Sequence, residues 1–525
     1  MPLVLATLLS ATLHGITGRV VRVEVDVAPG LPGFTIVGLP DAALSEARER
    51  VRGALRNAGF HHPPRRITVN LAPAELRKAG ASLDLAIALG ILLGSEQVRA
   101  VSGRIGLIGE LGLGGEVRRV PGMLPMCLAL AARGVRRVAV PAEAFAEARL
   151  APGLDPVAVA TVAEAAELIR APRSRRAAPV ALPRAGVVGD LAAAGAGRIA
   201  ATEAPAVDLA DVRGQAVARR ALEIALAGGH ALLLIGPPGA GKTLLARTIP
   251  RLLPDLDDAA ALAATIVASA AAPEPVEALV RRPPVRMPHH TTSYAGMVGG
   301  GPRLSPGEVT LADQGVLFCD ELPEFGRDVL EALRQPLEDG QVSVVRVGRA
   351  ATFPARFTFI AAMNPCPCGQ HGVADRTCSC PPLVPDRYLG RVSGPLRDRI
   401  DLWVRMDRVP PGVLLGGTPP EPSAAVARRI AAARERRRLR SGALDNARLH
   451  GRSLRDACAM DAGASARAIT LAEREGLSGR GMDRLLRVAR TIADLAGDPV
   501  VTPAHLDEAA RFRAPVDQMT LRRAG

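Results

Sequence analysis

Residues 231–249 read ALLLIGPPGAGKTLLARTI. Five apolar residues, a glycine-rich loop and a second apolar run make the strand–loop–helix context in which G-x-x-x-x-G-K-[ST] holds phosphate. Within Gly236-Pro237-Pro238-Gly239-Ala240-Gly241-Lys242-Thr243 the glycines let backbone N–H groups surround the phosphates, and the helix that follows offers its positive dipole end to the same charge. Lys242 is placed to reach the β- and γ-phosphates of ATP, and the Thr243 hydroxyl to ligate Mg²⁺. Lysine is scarce elsewhere: only Lys78 and Lys242 occur, and 64 of the 66 basic residues are arginine. A compact ammonium stands at the one loop position that needs it.

A loop of this kind requires a metal-binding acid at the end of a neighbouring strand. Val316-Leu317-Phe318-Cys319-Asp320-Glu321 supplies two adjacent carboxylates after four apolar residues, 78 positions beyond Lys242. Asp320 is placed to hold Mg²⁺ and Glu321 to polarise the attacking water. A further strand, Phe357–Ala362, ends in Met363-Asn364. Asn364 is read as orienting that water, with a plain turn asparagine as the alternative.

At 525 residues the chain should hold about three domains, and with 48% apolar residues it buries real cores rather than staying disordered. No apolar run approaches the roughly 18–20 residues of a membrane span, so no membrane is expected. The stretch Met1–Leu13 is apolar but lacks a basic lead and runs into alternating strand-like sequence, and it reads as structure. The formal charge of +14 has two sources that composition does not separate: a polyanion partner, or a GC-rich coding bias that inflates arginine. Aromatics are only 2%, which argues against a surface that stacks bases on rings. Seven cysteines without a secretory signal imply a reducing, cytoplasmic setting.

Residues 1–171 alternate strand and helix signals, with strands expected at Val20–Val27, Phe34–Val37, Arg66–Leu71 and Arg137–Val140, and Asp41 capping a helix. Residues 172–206 turn to Ala, Pro, Arg and Gly and read as a linker. An α/β domain follows over 207–406, and 407–525 is dominated by helices, the last capped around Thr502-Pro503. Cys366, Cys368, Cys378 and Cys380 form C-x-C, nine residues, C-x-C. Four thiolates satisfy tetrahedral zinc; the tight spacing keeps open free packed thiols, or a site that also uses His371. Directly after Asn364, such a cluster would be a structural clip rather than a hydrolytic metal. The run Arg428–Arg440 (RRIAAARERRRLR) reads as a solvated helix face in preference to a DNA stripe.

Together these residues resemble the AAA+ ATPases of the magnesium-chelatase-like branch that includes the bacterial ComM/YifB proteins. The resemblance spans nearly the whole chain and rests on GLPGFTIVGLPDAALSEARERVRGAL (30–55), MPHHTTSYAGMVGGG (287–301), PGEVTLADQGVLFCDELPEF (306–325), FTFIAAMNPCPCG (357–369), SGPLRDRIDL (393–402) and GRGMDRLLRVARTIADL (479–495). It implies an α/β P-loop AAA+ domain with a C-terminal helical lid, assembled as a homo-hexameric ring with nucleotide between subunits. It assigns Asn364 as the sensor asparagine, Arg399 as the arginine finger with Arg397 close by, and Arg480 as the second sensor with Arg484 as its alternative. It also makes 287–307 the helix-two insert and Asp339–Phe353 a presensor hairpin whose Arg346 and Arg349 are candidate DNA contacts. His289 and His290 are read as shaping a loop or touching substrate at least as readily as binding metal.

The first domain resembles the α+β Lon-type proteolytic fold, of the ribosomal-protein-S5-domain-2-like class. Ser82 falls on the nucleophile's position, but the position of the partner lysine is Met126, which cannot act as a base. Lys78 is the only other lysine there, so the domain is expected to have lost proteolysis. The function implied is an ATP-driven motor on branched or single-stranded DNA, a ComM-like branch-migration helicase of natural transformation. The rivals are a magnesium-chelatase motor subunit, which as a family lacks both the Lon-like domain and the cysteine cluster, and an ATP-dependent unfoldase or protease.

Overall fold

The computed structural model describes residues 5–513 apart from 42, 43, 45, 79, 100–103, 171–206, 302, 303, 347, 348, 374, 375 and 417–419. The expected linker, 172–206, lies outside the described residues. On each side of it the chain builds its own sheet and core.

The N-terminal sheet has seven strands: β1 (Ala6–His14), β2 (Thr17–Ala28), β3 (Gly33–Val37), β4 (Arg66–Ala72), β5 (Ile105–Leu107), β6 (Arg137–Pro141) and β7 (Asp155–Val159), ordered β3-β4-β2-β1-β5-β6-β7. β1, β2 and β4 are antiparallel neighbours, and the outer pairs are parallel. Alternation dictates the pairing: Val21, Val23, Val25 and Val27 bury one face of β2 while Arg22, Glu24 and Asp26 take the other. Asp41 accepts the N–H of Leu44 at 2.9 Å ahead of α1 (Ala47–Asn57). Helix α2 (Asp84–Gly94) is apolar on nearly every side and is correspondingly enclosed. Helix α3 (Met123–Ala132) covers β1 and β2, so closely that a Cβ on Gly18 would lie 2.1 Å from the Pro125 carbonyl.

The second sheet is wholly parallel: β8 (Leu232–Ile235), β9 (Val285–Arg286), β10 (Val316–Cys319), β13 (Thr358–Met363) and β14 (Leu402–Arg405), ordered β9-β10-β13-β8-β14. Every residue of β8, β10 and β13 is buried, the pattern of parallel strands covered on both faces. Their register places Ile235 beside Met363, and Cys319 beside Ala361, at one edge. Gly236, Asp320 and Asn364 therefore emerge together from the carboxyl ends of adjacent strands, where ligands of open α/β sheets bind. Between β10 and β13 the hairpin β11 (Gln341–Arg346) and β12 (Arg349–Pro354) stands apart as its own two-stranded ribbon. Gly340, directly ahead of β11, ends the helix Arg334–Asp339 with φ +67°. The side chains of Arg346 and Arg349 lie outside the described residues.

Helix α4 (Ala216–Gly228) precedes β8, the short α5 (Lys242–Ala246) follows it, and α6 (Asp258–Ala271) leads towards β9. The carboxyl-terminal part is helical: α7 (Ser423–Ser441), α8 (Gly451–Cys458), α9 (Ala462–Arg474), α10 (Gly479–Ala496) and α11 (Pro503–Arg511). Helix α10 has the sequence a long buried helix needs, with Ser478 accepting the N–H of Gly481 at its start and Gly497 left-handed at its end. Its apolar stripe, from Leu485 to Ile492, shares one core with β8 and α4, and each fully buried Leu or Ile there contributes roughly 1.5–3 kcal/mol. Polar residues on α10 also join that core. His230, just before β8, lies 2.7 Å from Thr491 Oγ1 and 3.2 Å from Asp401, while Arg490 and Arg440 both hold Asp494.

The arginine run on α7 is a solvated face only in part: Arg428 is exposed and Arg438 pairs with the exposed Glu435 one turn away, whereas others are tied inward. Arg429 bonds Glu223 and Glu421, Arg434 donates to the Leu226 carbonyl, Arg436 to that of Asp494, and Arg440 reaches Asp494 and Asn446. Arg429 and Arg434 fasten α7 to α4, and Arg436 and Arg440 fasten it to α10, an arrangement charge patterning along one helix cannot reveal. Among the described residues no helix is long and apolar enough to cross a membrane.

Candidate functional site

The loop between β8 and α5 needs its glycines for different reasons. Gly236 passes the neighbouring strand so closely that a Cβ would sit 2.2 Å from the Met406 carbonyl. Gly239 and Gly241 have φ of +80° and +92° with open space around them, leaving backbone N–H groups free to face a ligand. The loop is braced from behind by Gln215, which donates to the carbonyls of Ala240 (3.0 Å) and Asp407 (2.6 Å). Sequence reasoning missed Gln215; its one local signal is the Gly-Gln step before an apolar helix.

Lys242 is 8% exposed, and its ammonium donates to the carbonyls of Gly236 (2.6 Å) and Pro237 (3.0 Å) and to Asn364 Oδ1 (3.1 Å). Burial pulls its pKa below the ordinary value, and Asp320 and Glu321 oppose that shift. In this state the loop's own oxygens occupy the donors that phosphates would take. Thr243 Oγ1 donates to Asp320 Oδ2 at 2.6 Å, so a hydroxyl and a carboxylate converge as hard oxygen ligands, the set Mg²⁺ prefers. Asp320 also accepts the N–H of Glu321 at 2.9 Å. Glu321 is exposed and left-handed, φ +51°, a conformation that a non-glycine residue holds only when its surroundings impose it. Its carboxylate lies 3.4 Å from His290 Nδ1. The paired imidazoles stack with centroids 4.1 Å apart, and His289 turns to Thr291 at 2.9 Å. Neither histidine joins a metal cluster among the described residues.

The loop, Asp320, Glu321 and Asn364 thus meet at one edge, whereas Arg399 and Arg480 bond none of them. Arg399 pairs with Glu338 and donates to the Pro395 carbonyl at 2.7 Å. Arg480 is exposed in the first turn of α10, while Arg484 donates to the Asp398 carbonyl at 2.7 Å. Lys242→Ala removes the only ammonium of the loop. The expected loss of nucleotide affinity is about 2–5 kcal/mol, roughly 30- to 4,000-fold, read by fluorescent-nucleotide titration.

Beside the loop the four cysteine sulfurs lie within 4.8 Å of one another. Cys366 Sγ is 3.4 Å from Cys368 and 3.7 Å from Cys378, and Cys368 is 3.5 Å from Cys378. A tetrahedron with Zn–S bonds near 2.3 Å has edges of about 3.8 Å, which these separations approach. His371 contributes its backbone N–H to Cys366 at 3.3 Å, not its ring. Against the effect of burial, N–H groups of Gln370 and Ser379 and the neighbouring thiols bring Cys368 down to about 5. The same loop leans on the nucleotide-loop candidate: a Cβ on Gly369 would lie 2.3 Å from Pro238 Cδ.

In the N-terminal region Ser82 is buried and donates to the Ala11 carbonyl at 2.9 Å, and Met126 is core. Lys78 directs its ammonium to the carbonyls of Gly38 and Pro73.

Three family models cover most of the chain: "Magnesium chelatase, subunit ChlI" over residues 208–414, "Subunit ChlI of Mg-chelatase" over 23–144, and "Magnesium chelatase, subunit ChlI C-terminal" over 420–513. YifB of Escherichia coli is 41% identical over 515 residues, 97% of this chain and 96% of that protein. The competence protein ComM of Haemophilus influenzae is 40% identical over 515 residues, 98% of both chains. The chain belongs to the ComM/YifB family of magnesium-chelatase-like ATPases. A ComM/YifB protein therefore carries the parallel sheet and helical C-terminal part described above, a mixed α/β arrangement that fits the AAA+ fold. The model named for the same chelatase subunit over 23–144 places the N-terminal region of this ComM/YifB chain within the match as well. A shorter match, 30% identical over 115 residues and 22% of the chain, is to a Zea mays protein named DNA replication licensing factor MCM3 homolog 1, of which it covers 14%.

Proposed function

We propose that this ATPase is a homo-hexameric ring motor acting on DNA, a branch-migration helicase of natural transformation and recombination. The observation that carries the reading is the near-complete match to a competence protein, and the local match to a replication licensing factor supports it. In this reading residues 1–171 form a Lon-like domain, 207–406 the ATPase core and 407–525 its lid. Gly236–Thr243 bind ATP, Thr243 and Asp320 hold Mg²⁺, which would neutralise developing phosphate charge, and Glu321 takes the proton of the attacking water while Asn364 orients it. Arg399 completes the site of a neighbouring subunit, consistent with its lack of bonds to the loop in its own chain, and Arg480 of the lid contacts the γ-phosphate as the second sensor, with Arg484 as the alternative.

The Lon-like domain serves assembly or binding. Ser82 is already spent on a backbone carbonyl, and no lysine ammonium is directed at it. The test of the whole reading is ATPase activity with and without branched, single- and double-stranded DNA. Stimulation, above all by branched or single strands, is the expected result; no stimulation together with no DNA binding at moderate salt sinks it.

The cysteine cluster is read as structural zinc that clips the loop after Asn364 and backs Pro238. About one zinc per chain is expected by elemental analysis of purified protein, and less in Cys368→Ser, which should also lower the melting temperature. Zinc-free wild-type protein ends this part of the reading.

A further inference from the structure

The turn between β1 and β2 plugs into the β11–β12 hairpin, the ribbon that stands apart from the second sheet. His14 Nε2 lies 2.9 Å from the Ala350 carbonyl, and Ile16 shares a buried cluster with Ala351 and Phe353. Beside that contact opens a cleft of about 940 Å³, lined among others by His14, Arg19, Leu39, Arg77, Arg133 and Ala350. Among the described residues many arginines are tied to carboxylates or carbonyls, as are Arg429 and Arg434 on α7. Arg19, Arg77 and Arg133 are exposed, and the side chains of all three lack a partner among the described residues. They face a single lining carboxylate, Glu75.

The rim of this cleft is built. Lys78 is fully buried, and its ammonium joins Gly38 O on one lining loop to Pro73 O on the other. Its backbone N–H donates to Leu39 O at 3.2 Å, and its carbonyl accepts from Asp41 N at 3.0 Å. So held, Leu39 adopts φ +56° and stays 55% exposed. A left-handed leucine costs about 1–2 kcal/mol and persists only where the surroundings impose it. The outcome is an apolar side chain presented to the cleft among three unpaired guanidinium groups.

We infer that this cleft binds the sugar–phosphate backbone of a single nucleic-acid strand, carrying it along the N-terminal region beside the hairpin contact at Ala350. Arg19, Arg77 and Arg133 neutralise phosphates, and Leu39 packs against sugars or unpaired bases, surfaces that a duplex hides. The inference rests on the DNA reading above and extends it to residues outside the motor. An acidic, partly apolar peptide is the competing occupant.

The test is binding of a fluorescent oligothymidylate to the full chain across a salt series, for wild type and for Arg19→Ala/Arg77→Ala/Arg133→Ala. Each single-strand phosphate contact contributes about 0.7 to the slope of log affinity against log salt. The triple variant should lose about 2 from that slope and bind at least about tenfold more weakly near 0.15 M salt, with DNA-independent ATPase activity unchanged. Should the triple variant melt early, the single substitutions decide, each lowering the slope by about 0.7. A variant that matches a DNA-binding wild type in slope and affinity overturns the cleft while leaving the DNA reading intact. A wild type that binds no oligonucleotide overturns both.

Discussion

Arg399→Ala should lower ATP turnover by about 10³–10⁵-fold, the range found when a guanidinium that stabilises transition-state charge on phosphate is lost. Nucleotide binding should persist, because within its own chain Arg399 touches Glu338 and the Pro395 carbonyl and nothing in the loop. If it acts on a neighbour, defects on opposite sides of the interface must complement. Mixing Arg399→Ala with Lys242→Ala chains should restore part of the turnover, since some interfaces then pair an intact loop with an intact arginine. Turnover within tenfold of wild type, or mixtures no better than the mean of their parts, would refute the role. Arg397→Ala is the control, expected to act weakly.

Glu321→Gln should reduce turnover by about 10²–10⁴-fold, the usual contribution of a positioned general base, while ATP stays bound and unhydrolysed. Glutamine keeps the shape and the backbone strain at φ +51°, so the change isolates proton transfer from geometry. Rapid quench of a single turnover separates this outcome from slow product release. His290, 3.4 Å from the carboxylate, gives a second reading of the same site. His290→Ala should lower turnover less than Glu321→Gln, because it removes a positioning partner and leaves the base. A Glu321→Gln chain that hydrolyses ATP within tenfold of wild type removes Glu321 from the mechanism.

What was legible in the sequence is what local order dictates. Leu232–Ile235 and Val316–Cys319 are continuous apolar runs, so their burial in a parallel sheet, and the emergence of Gly236 and Asp320 at its edge, follow from short stretches of chain. Asn364 was legible for the same reason, as the first polar residue after a buried strand. Gln215 was not, since its bonds reach Ala240 and Asp407 from 25 and 192 positions away. His290 was visible as half of a pair, but its partner, Glu321, became clear only in three dimensions. The arginines of α7 misled because helical spacing reports which residues share a face and says nothing about what that face meets. Arg429 meets Glu223 across 206 positions. Lys78 was the least readable of all: its neighbours in sequence suggested old protease chemistry, and its ammonium instead ties together two loops.

The plug of His14, Gly15 and Ile16 into the hairpin also limits how this protein can be taken apart. Phe353 is fully buried, and Gly15 approaches it so tightly that a Cβ there would come within 3.1 Å. A fragment beginning at residue 207 would bare that ring to water, together with the face of α6 that packs on α3 and bonds Glu147 through Ser269, leaving a sticky seam. The parallel-sheet region and the region before it are thus one solubility unit, and any displacement of the hairpin would have to be shared by roughly a third of the chain.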